Sequence, residues 1–385
     1  MKSLKFSSFF NPIFKIFFGL LFLVSCQNKT KFTVVKSTIQ NEIKYATGLS
    51  IENYNDFTII EVRNLWPESK VSFQYVLHKK GVKLPDSLKS MPAIQIPIQS
   101  VIVTSTTHIP SLTLLNVETS LVGFPGLDYI SSPKVRTLIS EGKVREVGSN
   151  MSLNTEVIID MQPSVVVVFG VSGQQNSHKT IESAGINLVY HADWMEQNPL
   201  GRAEWIKLFG ALFDQQEKAQ SIFNQIEADY EEAKFLAAKA DEKPSVMSGA
   251  IYEDQWYLPQ GNSWAAQFLN DANANYLWAN SSGSGSLALS YESVLEKAQN
   301  ADFWLGPAQF TSYQSLFESN ANYQYFKPFS TKKIYTFSSK KGQTGGVIYY
   351  EEASARPDLV LKDLIKILHP SLLANHELYF FEPLK

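Results

Sequence analysis

A helical signal runs without a break from Arg202 to Ala240, and no other stretch constrains the fold as strongly. Apolar residues fall at Trp205, Leu208, Phe209, Leu212 and Phe213, then resume at Ala219, Ile222, Phe223, Ile226, Tyr230 and Ala233. This is the spacing of one buried helix face. Asp214 stands three residues before Glu217, the spacing of a capping box, so the pattern predicts two helices with a bend at Asp214. The second helix ends before Pro244, and its length of about 25 residues would reach roughly 37 Å at 1.5 Å per residue. That length suits a rod joining two lobes, and it equally suits a core helix of one large domain.

The chain has 385 residues, 44% of them hydrophobic and 18% charged, which is enough for a large core and for two domains. A formal charge of −3, with no Lys/Arg run interleaved with aromatics, argues against nucleic acid as a partner.

The leader carries Lys2, Lys5 and Lys15 ahead of the apolar run Ile16 to Val24, followed by Leu23-Val24-Ser25-Cys26. A positive start, a short apolar segment and small residues at its end define a secretory signal over residues 1–25. Leu-Val-Ser-Cys resembles a bacterial lipobox, which implies acylation of Cys26 and anchoring of the mature chain to a lipid membrane, with 26–51 as a tether. Cys26 is the only cysteine, so neither a disulfide nor a cysteine metal site is expected.

Downstream, Asp56 to Trp66 and Lys70 to His78 read as two strands of a hairpin, the second with alternating apolar residues. Strands at Gln99 to Ser105, Leu121 to Phe124, Val165 to Gly170 and Ile186 to Tyr190 alternate with helical patterns and make an α/β lobe over 52–200. Connecting helices occupy 201–243. From 244 to 385 the alternation resumes. A strand at Ser245 to Ile251 precedes an aromatic loop, Tyr252 to Tyr257, and Ser263 caps a helix. A Gly/Ser loop, Ser281 to Ser286, comes before strands at Asp302 to Gly306 and Lys333 to Phe337, and the last helix runs from Pro357 to Leu368.

The two halves echo one another. Leu153-Asn154-Thr155-Glu156 leads through a helix into Val165-Val166-Val167, and Leu289-Ser290-Tyr291-Glu292 leads into Phe303-Trp304-Leu305. Each glutamate sits in a first helical turn, where the helix dipole favours it whatever its further role.

These segments, with the long connecting helix and the lipobox, resemble the class III periplasmic substrate-binding proteins of ABC importers for iron-siderophores, haem and cobalamin. The resemblance covers about residues 95 to 385. Leu200-Gly201-Arg202-Ala203-Glu204-Trp205, Gly261-Asn262-Ser263-Trp264 and Arg356-Pro357-Asp358 are similar to the version found in Bacteroidetes-type lipoproteins. Pro163-Ser164 departs from the family's Pro-Asp pair. The resemblance implies an α/β fold of two Rossmann-like lobes joined by a single long rigid helix, with the ligand cleft between them. It also implies a monomer in the periplasm that captures a small metal chelate, corrinoid or haem and delivers it to an ABC permease dimer. Glu156 and Glu292 are then the carboxylates that dock on the permease.

A ligand in such a cleft meets loops at the carboxyl ends of the strands. Thr107, His108, Phe124, Tyr129 and Asn150 are the candidates from the first lobe, and Tyr252, Trp256, Trp304 and Tyr349 from the second. Each of the aromatics reads as well as packing within its own lobe. His108 reads equally as a local hydrogen-bonding residue, and Arg356 as either an anion contact or a cap of the last helix. His78, His178, His191, His369 and His376 show no metal-ligand spacing, so no metal and no cofactor is assigned. An enzyme finds little support, because Gly170-Val171-Ser172-Gly173 is no nucleophile elbow and no phosphate-binding glycine loop is present. A surface lipoprotein that captures ligand for an outer-membrane receptor is the remaining alternative.

Overall fold

The computed structural model describes residues 43–170 and 175–385. The expected signal peptide, Cys26, the first part of the tether and the loop 171–174 lie outside the described residues. No helix among the described residues is long and apolar enough to cross a membrane.

The chain builds two separate parallel sheets, and the long helix lies between them in sequence. The N-terminal sheet contains β5 (Val101–Val103), β6 (Leu121–Phe124), β7 (Arg145–Glu146), β10 (Val165–Phe169) and β11 (Asn187–His191), in the order β11-β10-β5-β6-β7. The small hairpin β8 (Gly148–Ser149) and β9 (Ser152–Leu153) stands apart from it. Helices α1 (Ile109–Leu114), α2 (Pro133–Ser140), α3 (Thr155–Met161) and α4 (Gln175–Ser183) make the crossovers. Val165 to Val168 are all buried, as a central strand covered on both faces requires.

Ahead of this lobe, the expected hairpin is part of a four-stranded sheet, β1 (Leu49–Asn53), β2 (Phe57–Val62), β3 (Phe73–Lys79) and β4 (Ala93–Ile96), paired in that order. The tether expected to reach residue 51 therefore ends earlier. Glu204 accepts the backbone N–H groups of Lys44, Tyr45 and Ala46 at 2.8, 2.7 and 2.8 Å, and Glu196 accepts those of Thr47 and Gly48 at 2.9 and 2.8 Å. Both carboxylates are buried, and Lys207 Nζ balances Glu204 at 2.7 Å. A buried charge with this many donors is satisfied rather than stranded.

Three helices form the connector: α5 (Pro199–Glu204), α6 (Ile206–Leu212) and α7 (Gln216–Ala237). The buried face of α7 holds Ala219, Phe223, Ile226, Tyr230 and Ala233, five of the positions that the spacing selects. At 22 residues it spans roughly 33 Å. The bend falls at Asp214, but no capping box forms there. Asp214 adopts φ 55°, Gln215 N–H bonds Gly210 O at 2.7 Å and Asp214 N–H bonds Ala211 O, so Asp214 ends α6 in a Schellman turn. Its carboxylate pairs with Lys79 at 2.9 Å instead of capping α7. Gly210 lets the two helices close up, since a Cβ there would lie 2.5 Å from the Ala219 Cβ.

The C-terminal sheet has the order β15-β12-β17-β18-β19, from β12 (Ser245–Ser248), β15 (Asn275–Tyr276), β17 (Phe303–Leu305), β18 (Ile334–Thr336) and the antiparallel edge β19 (Glu382–Pro383). A second, antiparallel sheet comprises β13 (Ala250–Tyr252), β14 (Gln255–Pro259) and β16 (Ser286–Leu289). The segment expected as an aromatic loop is thus a hairpin turning at Glu253, whose φ is 53°. Gly249, at φ 78°, parts β12 from β13 where a Cβ would lie 1.8 Å from Tyr257 O. Helices α8 (Trp264–Asp271), α9 (Tyr291–Ala298), α10 (Tyr313–Ser319), α11 (Lys327–Ser330), α12 (Ile348–Glu352) and α13 (Pro357–Leu368) complete the lobe, and α13 packs along α7.

The halves repeat one another in three dimensions. Ser164 N–H bonds Ser100 Oγ at 3.0 Å, while the Ser164 hydroxyl accepts from Ser100 N–H. Asp302 N–H likewise bonds Ser245 Oγ at 3.0 Å, and its carboxylate accepts from Ser245 N–H and hydroxyl. Ser164 thus splices its central strand to the neighbour as Asp302 does, which accounts for the serine in Pro163-Ser164. Both N-terminal helix turns match as well. Asn154 caps α3 and Ser290 caps α9, and Glu156 and Glu292 are each the second helical residue and exposed.

Candidate functional site

A cavity of about 1130 Å³ opens between the N-terminal half, the connector and the C-terminal lobe. Pro67, Glu68 and Trp194 to Gln197 form one side and Arg202 of α5 reaches in from the connector. Opposite stand the strand ends Ser248, Leu305 and Gly306, with Ser263 at the N-cap of α8, Trp264 and Phe268 on that helix, Phe337 beyond β18, and Tyr349 and Tyr350 on α12. Strand carboxyl ends supply this wall because parallel strands leave their loops at one edge. The Gly/Ser loop is part of the wall at Gly283 to Ser286, and Gly285 N–H is held by the Gln260 side chain at 2.9 Å.

Arg202 is the cationic centre of the lining. Its Nε donates to Glu196 O at 2.9 Å and its Nη2 to Trp194 O at 2.8 Å, which fixes the guanidinium over the Trp264 ring at 4.0 Å from the centroid. Burial lowers its pKa from the ordinary value, against the pull of Asp193, Tyr349 and Glu196, yet a guanidinium remains charged. Aromatic faces continue from there. Phe337 stacks on Tyr349 at 4.2 Å and 16°, and Trp264 lies 6.1 Å from Tyr349. Burial raises the Tyr349 phenol, so it stays a neutral donor.

Of the nine candidate contacts, Tyr349 lines the cavity. Trp256 and Trp304 do not: both are fully buried, their rings 5.3 Å apart among Tyr323 and Phe326, with each indole N–H bonded to a backbone carbonyl at 2.9 Å. Register explains this, since Trp256 and Leu258 of β14 point to the core while Gln255 and Tyr257 point out. Phe124 is buried in the N-terminal core. Tyr129, Asn150 and Tyr252 are exposed and stand outside the lining, and Thr107 bonds Ser105 in the 106–108 turn. Arg356 stands at the N-cap of α13 without a side-chain capping bond and outside the cavity lining; it grips Asp358 in the first turn through two bonds of 2.9 and 2.7 Å.

The two lobes also meet directly. Glu351 of α12 accepts the N–H groups of Ser131 and Ser132, just before α2, at 2.6 and 2.9 Å. Thr344 Oγ1 donates to Asp128 O at 2.7 Å. Burial lifts the Glu351 pKa to about 7, with the Glu352 charge adding to it and the two N–H donors opposing.

Spacing along the chain gave no metal signature, but folding brings His108, His191 and Asp193 together, all buried. His191 Nδ1 lies 3.0 Å from Asp193 Oδ1, and the His108 ring is 4.3 Å from that of His191. Burial drives the His108 pKa well below its usual value, and the His191 charge adds to this. Burial pushes Asp193 the other way, yet the His191 charge and hydrogen bond outweigh it and hold the carboxyl down at about 2. Arg202, Trp264, Trp194 and Phe337 were not singled out as contacts from sequence. Arg202 and Trp264 do lie in two of the three phrases that carried the resemblance, and the fold stacks them on each other.

The periplasmic binding protein family model matches residues 101–340. A lipoprotein of Methanocaldococcus jannaschii is 30% identical over 93% of this chain and 90% of its own length. Among solved structures, a periplasmic binding protein from Veillonella parvula superposes with a TM-score of 0.56 at 13% identity, covering 84% of this chain and 95% of that one. A periplasmic haem-binding protein of Vibrio cholerae gives 0.53 at 15% identity, covering 68% and 99%. With two α/β lobes, one long connecting helix and a cavity between them, the chain belongs to the class III periplasmic binding proteins and is a substrate-binding protein, not an enzyme.

Proposed function

We propose that this protein is the lipid-anchored, extracytoplasmic receptor of an ABC importer, and that its cargo is an iron-siderophore or a similar iron complex. The observation that carries this reading is the inter-lobe cavity of about 1130 Å³ with a single fixed guanidinium among stacked aromatic rings. Its volume lies just above the usual range of about 300–1,000 Å³ for small-molecule sites, which suits a chelate or macrocycle better than an amino acid or sugar. Rings accept the apolar edges of such a ligand, and Arg202 pairs an anionic oxygen on it. Haem satisfies the same demands through its flat ring and carboxylates, and cobalamin through its corrin face, so both belong in the test.

Anchoring rests on acylation of Cys26. Docking rests on Glu156 and Glu292, one exposed on each lobe at matching helix starts. Rim carboxylates of this kind set orientation and association rate rather than ligand affinity.

A thermal-shift screen of the protein against ferric siderophores, haem and cobalamin tests the cargo. A true ligand raises the melting temperature with concentration, as mass action requires. If no member of the three classes shifts it, the cargo assignment fails.

A further inference from the structure

We infer that His108, His191 and Asp193 form a site for one divalent transition-metal ion of the zinc class, inside the N-terminal lobe and apart from the cargo cavity. Two imidazoles and one carboxylate are the donor set that zinc, cobalt and nickel select, whereas magnesium and calcium require mainly oxygen ligands. One donor atom from each residue lies within 4.8 Å of the other two. The 3.0 Å between His191 Nδ1 and Asp193 Oδ1 is already near the about 3.3 Å that separates two ligands on a tetrahedral zinc. The separations to the His108 nitrogen, no more than 4.8 Å, shorten to the same value as the ion draws the three donors to bonds of about 2.0–2.1 Å.

A second observation points to a ligand. Both ring nitrogens of His108, a fully buried side chain, lack a hydrogen-bond partner among the described residues. Phenylalanine at position 108 would fill the same space with no polar atom to satisfy, so packing gives no reason for an imidazole there. A metal ion satisfies a ring nitrogen that no hydrogen bond reaches. Aromatic rings border the site: Trp205 lies 4.6 Å from the His191 ring, and Phe209 lies 5.9 and 5.6 Å from His108 and His191. Arg202 is the nearby cation whose field acts on Asp193. His108 closes the 106–108 turn after β5, and His191 ends β11, two strands separated in the sheet by β10. One ion therefore clamps the carboxyl edge of the N-terminal sheet just behind Trp194 and Arg202.

The test uses the mature chain without a histidine tag, stripped by chelator and titrated with Zn²⁺ and Co²⁺. The expected result is one equivalent bound, the intense visible absorption of Co²⁺ held tetrahedrally by the three side chains and one water, and a rise in melting temperature. His108→Phe and Asp193→Asn should each weaken uptake at least 100-fold while far-UV circular dichroism is unchanged. Trp264→Ala, altered in the cavity lining, should bind metal as the wild type does. Uptake by His108→Phe equal to wild type, or no saturable one-to-one binding, overturns the site. X-ray absorption of the zinc-loaded wild type decides the matter should a variant not fold: two imidazole nitrogens on the metal support the site, and a shell of oxygens alone refutes it.

Discussion

The Arg202 guanidinium of the connector lies 4.0 Å from the ring centroid of Trp264 in the C-terminal lobe. Two carbonyls, of Trp194 and Glu196, hold it there from the N-terminal side. One side chain thus spans all three parts of the molecule at the cavity wall, and it is held before any ligand arrives. A contact fixed in advance costs little ordering on binding.

Arg202→Ala should therefore weaken cargo binding by about 10- to 100-fold, the range for a lost charge-assisted hydrogen bond together with its cation–π partner. Arg202→Lys should recover little, because a lysine lacks the planar fork that both carbonyls and the ring engage. Isothermal titration with the ligand found in the thermal screen measures both. Unchanged affinity in Arg202→Ala removes this residue from the site.

Glu156→Ala combined with Glu292→Ala should abolish uptake by cells while leaving the dissociation constant for cargo unaltered. The carboxylates stand on the first turns of α3 and α9, outside the cavity lining. Transport and binding assays on the same variant separate the two roles, and loss of cargo affinity would contradict the docking role.

Trp256→Ala should cost about 3–5 kcal/mol of stability through the cavity it leaves against Trp304, Tyr323 and Phe326. In molecules that remain folded, cargo affinity should hold. Urea unfolding followed by ligand titration checks both.

Gly210→Ala should destabilise the α6–α7 corner by about 1–3 kcal/mol, since the new methyl meets the Ala219 Cβ at 2.5 Å. Adding Ala219→Gly should return part of the loss. A double-mutant cycle in urea reads the coupling, and strict additivity would show that the helices do not touch there.

Glu351 makes the inter-lobe seam sensitive to pH. Its folded pKa is raised to about 7 from the ordinary 4.5, so its contribution to stability is complete below about 4.5 and is lost as pH rises through about 7. The wild type should lose up to about 3 kcal/mol on this account between pH 5 and pH 8. Glu351→Gln should flatten that slope, though it leaves one of the Ser131 and Ser132 N–H groups poorly served at every pH. Urea melts at both pH values give the comparison; equal slopes for the two proteins would rule the effect out.

Much of the architecture could be read from residue order, for a physical reason in each case. The apolar face of α7 has a period that only a helix can bury, and Val165 to Val168 can be satisfied only as a strand covered on both sides. Pro357 to Leu368 is bounded by its own proline and by the end of its apolar run, and the helix has those limits. The site was less legible. Trp256 and Trp304 are as useful in a core as in a cleft, and the alternation through Gln255, Trp256, Tyr257 and Leu258 was the signal that Tyr252 to Tyr257 was a hairpin. His108, His191 and Asp193 converge only because the ends of two strands reach the same edge of a sheet, which spacing along the chain does not encode. Arg202 and Trp264 lay within two recognisable phrases, but their stacking depends on how α5 and α8 meet.

Glu204 and Glu196 seize residues 44 to 48 by their main-chain N–H groups at α5 and the turn before it. Tension drawn through the leading end of the chain is consequently carried by the connector and reaches neither sheet first.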